Sequence, residues 1–280
     1  MGAVEPVRAR RSARWRPLAA LALAVPSLLF LIGCGQRSEP TGATVEPYPV
    51  TIQQDDTNVV VDKKPEHVAA LTTDAASLVS SVVGREVTAV QSPPSNADLV
   101  VTTADGNTLG AAKTYVAPDG SVEDVERALT DLGLLLGRPI QARRLVEEIQ
   151  TKRAEVQRRL KGVTPVTVFV DTGLFSTVSD QSLLGRLIEE AGGDNIAGSK
   201  PRSGPFDVAK LVRLNPDVYF ATSDSGTTLA DLRRDPRTKH LKAVKTNRFA
   251  ILASRVVEPG GKIGTELVAI ARYLHPDAFR

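Results

Sequence analysis

A single long amphipathic helix over residues 139–161 most constrains how this chain can fold. Its apolar positions recur at four, seven and four residues: Leu145, Ile149, Val156 and Leu160. Charged side chains occupy most of the other positions. Pro139 suits a first helical turn, Gly162 and Pro165 favour an end, and the segment would extend about 34 Å, the width of a small domain. The pattern predicts a helix that links two lobes, with a lone surface or coiled-coil helix as the alternative.

The first 33 residues have the pattern of a secretory signal that ends in a lipidation motif. Five arginines precede an apolar run from Leu18 to Ile32, and the run leads into Leu31-Ile32-Gly33-Cys34. In the lipobox of bacterial lipoproteins this cysteine is lipidated before cleavage, so Cys34, the only cysteine, would become the first mature residue. An uncleaved anchor helix is the alternative, but the run is short for a bilayer. We therefore expect a signal peptide over residues 1–33 and an extracytoplasmic protein that is lipid-anchored to the cell membrane through Cys34.

Loss of the signal peptide changes the charge of the protein. The full chain carries a formal charge of +3, but residues 1–33 hold five arginines and one glutamate, so residues 34–280 carry −1. Nucleic-acid binding therefore loses its electrostatic basis, and we expect no such partner. The same segment holds Trp15, the only tryptophan. Residues 34–49, rich in Ser, Pro, Thr and Gly, are predicted to be a flexible tether.

Strand-like and helix-like segments alternate on both sides of the linking helix. This alternation predicts an α/β protein with two parallel-sheet lobes, lobe 1 over residues 50–138 and lobe 2 over residues 162–280. Lobe 1 is expected to begin with a hairpin over residues 50–53 and 58–61. Short strands should follow at 68–71, 86–90, 98–101 and 114–117. The connection over residues 103–112 is short for a parallel crossover, so lobe 1 is predicted to be reduced in size.

The same alternation predicts two helices in lobe 1, and three helices and three strands in lobe 2. In lobe 1 the helices are expected at 75–83, closed by Gly84, and from the capping residue Ser121 to Gly137. In lobe 2 the strands are expected at 166–170, 218–221 and 249–252. Helices should be capped by Ser182 and Asp207, and a last helix should start at Pro259.

Polar side chains gather directly after the predicted strands, where open α/β sheets bind their ligands. Capping and turn formation are the alternative explanation for any one of them. Arg255 is different, because an arginine beside Ser254 can hold an anionic group through two hydrogen bonds. The aromatic residues near these ends belong more often to a core than to a ligand site. The predicted ligand-binding residues are Thr72, Thr73, Asp74, Tyr115, Asp171, Thr172, Phe175, Thr222, Ser223, Arg255 and Glu258.

The sequence offers no support for an enzyme. It contains no phosphate-binding loop, no paired catalytic carboxylates and no nucleophile elbow. His67, His240 and His275 lie away from the carboxyl ends of the predicted strands, which disfavours a metal site. We therefore expect neither a catalytic residue nor a cofactor.

Several segments together resemble the helical-backbone solute-binding proteins of ABC importers, which carry ferric siderophores, corrinoids such as cobalamin, or heme. The segments are the lipobox, Pro65-Glu66-His67-Val68, the linking helix, residues 182–197, Leu214-Asn215-Pro216-Asp217-Val218 and Tyr273-Leu274-His275-Pro276. The resemblance covers roughly residues 50 to 280 and is most specific in lobe 2. It implies two α/β lobes joined by one long helix, a ligand in the cleft between them, and an ABC permease and ATPase as partners. An anionic ferric siderophore is favoured over a corrinoid, because residues 34–280 lack a tryptophan.

Two departures from the family pattern leave a second function open. The helices that flank the family strand corresponding to residues 98–101 are missing or reduced here. The family docks its permease through one glutamate on each lobe, and an ungapped comparison places Leu78 and Ala209 there, with Asp74 and Asp207 as the nearest acids. The alternative is a degenerate relative that acts as a cell-envelope interaction lipoprotein without transport.

Overall fold

Strands and helices alternate along nearly the whole described chain. A computed structural model describes residues 48–54, 58–103, 113–198, 205–253 and 258–280. The strands are β1 (Val50–Gln53), β2 (Asn58–Val61), β3 (Val68–Ala70), β4 (Leu99–Thr102), β5 (Lys113–Val116), β6 (Val166–Asp171), β7 (Gly193–Asn195), β8 (Val218–Thr222) and β9 (Phe249–Leu252). The helices are α1 (Thr73–Val83), α2 (Val122–Leu135), α3 (Pro139–Arg159), α4 (Leu183–Glu190), α5 (Val208–Leu214), α6 (Leu229–Arg234), α7 (Lys242–Lys245) and α8 (Ile263–Leu274).

Lobe 1 is built on a three-stranded parallel sheet in the order β3-β4-β5, with β1 and β2 as a separate antiparallel hairpin. The predicted hairpin is confirmed with the expected bounds, and Val50 pairs with Val61. The predicted strand at 86–90 is wrong. Gly84 ends α1 in a left-handed conformation and Val87 donates its amide to the Ser80 hydroxyl; the Val90 amide donates to the Ala70 carbonyl at 2.8 Å, but no strand forms over residues 86–90. β4 and β5 are nevertheless parallel although only ten residues connect them.

Lobe 2 contains a four-stranded parallel sheet in the order β7-β6-β8-β9. The three predicted strands are confirmed within a residue at each end. The strand β7 was not predicted from the sequence, because Gly192 and Gly193 indicated only the end of the preceding helix. The short helices α6 and α7 were not predicted either. The last helix starts at Ile263 rather than at Pro259, since residues 260–262 form a turn whose backbone contacts α1.

The linking helix α3 packs on both lobes through the predicted apolar seam. Ile149 and Val156 are fully buried, whereas the charged faces are largely exposed. On the lobe 1 side, a Cβ at Gly133 of α2 would overlap the Ala142 side chain, so the two helix backbones approach closely. On the lobe 2 side, a Cβ at Gly264 of α8 would lie 3.0 Å from the Ile149 Cα. The two-lobe α/β class predicted from the sequence is therefore the architecture of this chain.

The predicted signal peptide, Cys34 and nearly all of the tether lie outside the described residues. Within the described part of the chain, every helix is either too short or too polar to cross a bilayer.

Candidate ligand-binding edges of the two lobes

We call the carboxyl-terminal ends of the strands in each lobe the exit edge of that lobe. At the exit edge of lobe 1, threonine residues follow β3 and β4. Thr72 follows β3 and caps α1, where its hydroxyl accepts a hydrogen bond from the Ala75 amide at 3.1 Å. The same hydroxyl lies 3.1 Å from that of Thr103, which follows β4. Thr73 is exposed and Asp74 is half-buried in the first turn of α1. The structure thus brings three predicted residues to one edge, with Thr72 engaged in capping.

Asp171, the last residue of β6, organises the exit edge of lobe 2. Its carboxylate is buried, with a residue exposure of 1%. One oxygen accepts from the Gly173 amide at 2.8 Å. The other accepts from the hydroxyls of Tyr219 and Thr227, each at 2.7 Å. Because both oxygens have partners inside the protein, Asp171 joins three segments of this edge instead of facing a ligand.

The turn after β6 is strained and presents a leucine to solvent. Gly173, Leu174 and Phe175 have positive φ angles of 124°, 52° and 61°. Amides of Thr172 and Ser176 close the turn by donating to Ser176 and Gly173 carbonyls, both at 2.8 Å. Non-glycine residues in this conformation cost of order 1 to 3 kcal/mol each and cluster at functional sites. Leu174 is 84% exposed. The sequence analysis did not single it out, because no residue pattern signals a left-handed leucine.

The loop after β8 lies against this turn. A Cβ at Gly173 would sit 3.6 Å from the Ser225 Cα, so the two loops lie close together. Thr222 is nearly buried, and its carbonyl accepts from the Ser225 hydroxyl at 2.7 Å. Ser223 is exposed at the start of a short 3-10 turn. Of the two predicted residues in this loop, Ser223 is therefore the accessible one.

The two aromatic residues predicted at the edges differ in accessibility. Tyr115 is 1% exposed, and its hydroxyl donates to Asp131 at 2.8 Å, so its role in the described structure is packing within lobe 1. Phe175 is half-buried, and the Arg237 guanidinium lies 5.7 Å from its ring centroid. A cation over an aromatic face is stabilising, so Arg237 supports the strained turn.

Arg255 and Ser254 lie outside the described residues. Glu258, the next predicted residue, is half-buried and lines a cavity of about 880 Å³ between the lobes. The other walls of this cavity include Ser77 and Ser81 of α1 and Leu145 of α3. Gly261 donates its amide to the Ser81 hydroxyl at 3.0 Å, which holds the segment before α8 against lobe 1.

Burial controls the titration of the tyrosines that support both edges. Burial, followed by the neighbouring Asp171 carboxylate, raises the pKa of the Tyr219 phenol well above its ordinary value near 10. Burial and Asp131 likewise raise the pKa of Tyr115. Both phenols therefore stay protonated at neutral pH and act as hydrogen-bond donors.

The described residues contain no group of three or more His, Cys, Asp or Glu side chains placed to hold a metal ion. His275 is engaged with the Gly192 carbonyl at 2.9 Å, and His67 lies 3.5 Å from Asp98. The edges thus offer hydroxyls, amides and one apolar side chain, which suit noncovalent binding.

Comparison with known sequences identifies relatives of this chain. A sequence profile described as periplasmic binding protein matches residues 94–256. Curated relatives include the high-affinity heme uptake system protein IsdE from Staphylococcus aureus strain MRSA252, which is 23% identical over 146 residues. The match covers 48% of this chain and 50% of IsdE. The chain therefore matches about half the length of these curated relatives.

Solved structures share the fold at low sequence identity. CeuE from Helicobacter pylori, solved as a Ni-His complex, has a TM-score of 0.67 and 16% identity and covers 82% of this chain and 89% of its own. The periplasmic heme-binding protein RhuT from Roseiflexus sp. RS-1 gives 0.64 and 14%, with 76% and 99% covered. An ABC-type Fe3+-hydroxamate transport system protein from Saccharomonospora viridis gives 0.61 and 15%, with 81% and 99% covered. These similarities support a common two-lobe architecture.

Proposed function

We propose that this chain, which belongs to the periplasmic binding protein family, captures an anionic metal chelate in the cleft between its lobes. It hands the chelate to the permease and ATPase of an ABC importer. Binding is noncovalent, and the protein performs no chemistry on the ligand. The role as a chelate carrier goes beyond what family membership shows, because the same fold can bind several kinds of ligand.

The observation that carries the proposal is the construction of the exit edge of lobe 2. Asp171 ties the loops after β6 and β8 together, and the strained turn after β6 holds Leu174 in solvent. A protein that holds two consecutive non-glycine residues in a left-handed conformation needs a compensating reason, and ligand contact is such a reason. Thr172 is half-buried two residues before Leu174, and Ser223 is exposed in the loop that lies against this turn, so the edge combines an apolar side chain with hydroxyl groups.

The class of ligand is argued from charge and from the relatives. Relatives are described as binding or taking up heme, Fe3+-hydroxamate or Ni-His. Arg255 follows β9, and a guanidinium there would pair with a carboxylate or hydroxamate oxygen of such a ligand. We place ferric siderophores ahead of corrinoids, because a mature chain without tryptophan cannot stack an indole on a corrin ring.

We further propose that the protein is an extracytoplasmic lipoprotein anchored through Cys34. The lipobox and its flanks support this assignment. Cys34→Ser should then leave an unprocessed precursor that carries no acyl group. Recovery of wild-type protein from the aqueous phase of a detergent partition, with an unmodified Cys34 peptide in mass spectrometry, would contradict the anchor.

One observation favours the second candidate, an interaction lipoprotein without transport. Leu78, which aligns with a docking glutamate of the family, is fully buried in α1, so this position cannot present a side chain to a permease. Asp74 and Asp207 would have to replace the docking residues. A neighbouring permease and ATPase in the genome would favour transport.

The test of the binding function is the variant Arg255→Ala. It should weaken binding of a ferric hydroxamate about ten- to a hundredfold, since it removes one charge-assisted hydrogen-bond donor. The melting temperature of the empty protein should hardly change. Unaltered affinity would place the ligand elsewhere, and early unfolding would assign Arg255 a structural partner.

A further inference from the structure

Positive charge is concentrated in one part of lobe 2. Residues 205–253 contain nine Lys or Arg and five Asp or Glu, a net of +4. Residues 34–280 as a whole carry only −1, so the remainder of the mature chain is at −5. Positive and negative charges are therefore concentrated in different parts of the chain, although the total charge is close to zero.

Most of these basic residues gather at the amino-terminal ends of β8 and β9, opposite the exit edge. Backbone and side-chain contacts bring the three connecting segments together there. The Lys242 amide donates to Asn215 at 2.7 Å, and the Arg248 amide donates to the Ala243 carbonyl at 2.9 Å. Arg233 of α6 donates to the Asn247 side chain. We call the resulting surface the basic pole: Arg213, Arg233, Lys239, Lys242, Lys245 and Arg248.

The basic pole is solvent-facing and poorly neutralised. All of its members except Arg248 are exposed. Lys242 pairs with Asp217, but within the described residues no carboxylate lies at ion-pair distance from Lys239 or Lys245. Arg248 is half-buried, and its guanidinium donates to the Leu274 carbonyl at 2.8 Å. One acid against six bases leaves a net charge of about +5 over this surface.

We propose that the basic pole binds the anionic headgroup surface of a lipid bilayer. Clusters of four to eight Lys and Arg side chains are attracted to anionic headgroups, and the attraction falls off within a Debye length. The inference goes beyond the ligand-binding function, and it rests on the lipid anchor proposed at Cys34.

The length of the chain between Cys34 and the first described residue is consistent with a lipid bilayer as the partner of the basic pole. Residues 34–47 could span at most about 50 Å when fully extended. Lobe 1 begins at Tyr48, whose hydroxyl donates to the Leu135 carbonyl at the end of α2. The 21 residues of α3 extend about 32 Å, which is less than this reach, so a tether lipidated at Cys34 is long enough for the protein to lie on the bilayer. Because the pole lies at the opposite end of the strands from Leu174 and Ser223, membrane contact leaves the exit edge open to solvent.

Acetylation of surface lysines in the full chain tests the proposal. The protein is added to preformed vesicles of phosphatidylglycerol and phosphatidylcholine in equal parts, or of phosphatidylcholine alone, and is treated with a water-soluble acetylating reagent. Mass spectrometry should show modification of Lys239, Lys242 and Lys245 slowed about tenfold on the anionic vesicles at low salt. The effect should vanish at roughly 1 M salt, where the Debye length is about 3 Å. Lys63 and Lys64, which are exposed in lobe 1, serve as internal references.

Two double variants with equal changes in net charge distinguish an effect of the basic pole from an effect of the total charge of the protein. In the double variant Lys239→Glu with Lys245→Glu, protection of Lys242 should be lost. The double variant Lys63→Glu with Lys64→Glu changes the net charge equally and should keep it. Equal acetylation rates on both kinds of vesicle, or protection of Lys63 and Lys64 to the same degree, would overturn the proposal. Protection by soluble polyphosphate without protection by anionic vesicles would also overturn it, in favour of a soluble polyanion.

Discussion

Arg153 on α3 donates hydrogen bonds to both carboxylate oxygens of Glu190 in lobe 2, from Nε to Oε2 at 2.9 Å and from Nη2 to Oε1 at 3.1 Å. The same guanidinium donates to Glu126 at 3.3 Å and to Glu123, both on α2 of lobe 1. One side chain on the linking helix therefore connects the two lobes. Burial alone would lower the pKa of Arg153, but its hydrogen bonds to Glu190 and Glu123 raise it, so the guanidinium remains charged. This contact agrees with a pair of lobes that move little relative to each other.

Arg153→Met should destabilise the protein by about 2 to 4 kcal/mol, because the partly buried carboxylates of Glu126 and Glu190, and the exposed one of Glu123, lose their common cation. Burial already raises the pKa of Glu190 in the wild type, and loss of the arginine should raise it further. A carboxyl whose folded pKa lies above its unfolded value of 4.5 destabilises the fold as pH rises through the folded pKa. The loss of unfolding free energy in Arg153→Met, measured by urea unfolding, should therefore be largest near pH 7 and should shrink as the pH falls towards 4.5.

Arg143→Met is the matched control for this experiment. Arg143 is exposed on the same helix, and its replacement should change the free energy of unfolding by less than about 0.5 kcal/mol. A pH-independent loss in Arg153→Met would show that its aliphatic packing matters more than its charge.

Stability above pH 10 should depend on Tyr219. Its pKa is raised in the folded state, so the contribution of this phenol is fully present below the unfolded pKa near 10 and is lost as pH rises above it. Tyr219→Phe should reduce the slope of unfolding free energy against pH between 10 and 11.5 by up to about 1.4 kcal/mol per unit. At pH 7 the same variant should cost about 1 kcal/mol, since Asp171 loses one donor. An unchanged alkaline slope would mean that the phenol ionises in the folded protein.

The seam of α3 should be intolerant of charge. Ile149→Asp or Val156→Asp would bury an unpaired carboxylate between the lobes and should cost several kcal/mol in chemical unfolding. Glu148→Ala, which removes an exposed partner of Lys152 on the same helix, should change stability little. Equal, small effects from all three variants would show that the helix packs on neither lobe.

The long-range organisation of this protein is readable from its sequence, whereas the details of the site are not. The α3 seam and the capping residues Ser121, Ser182 and Asp207 act as expected, because helix periodicity and capping are local signals. Thr72, which was predicted to bind ligand, caps α1. The strand β7 escaped prediction because its three residues, which include two polar ones, carry no strand pattern and pair only through tertiary context.

Site residues were harder to assign for a physical reason. Strand-exit positions identify which residues reach an edge but not which way each side chain turns. Asp171 and Tyr115 reached the predicted positions and then found partners inside the protein. Leu174 is the most exposed side chain of its turn, where three consecutive residues have positive φ angles and Gly173 lies close to Ser225.

Leu174 should contribute to ligand affinity without contributing to folding. Leu174→Asn keeps a residue that tolerates positive φ but removes the exposed apolar surface, so the melting temperature should stay the same or rise slightly. Affinity for a ferric hydroxamate should fall about three- to tenfold, in line with the loss of a partly buried apolar contact. Val212→Asn, on an exposed apolar position of α5, is the control and should leave affinity unchanged. Equal affinities for wild type and Leu174→Asn would remove the turn from the site.

The central claim is that the cleft binds an anionic metal chelate, and calorimetric titration of the purified full chain tests it most directly. A ferric hydroxamate siderophore, heme and cobalamin are titrated in turn, each with its metal-free form as control. We expect saturable binding at one ligand per chain, with a Kd of about 1 μM or lower for the ferric siderophore and much weaker binding of its metal-free form. Absence of stoichiometric heat with all three ligands, from protein that still melts cooperatively, would contradict the account.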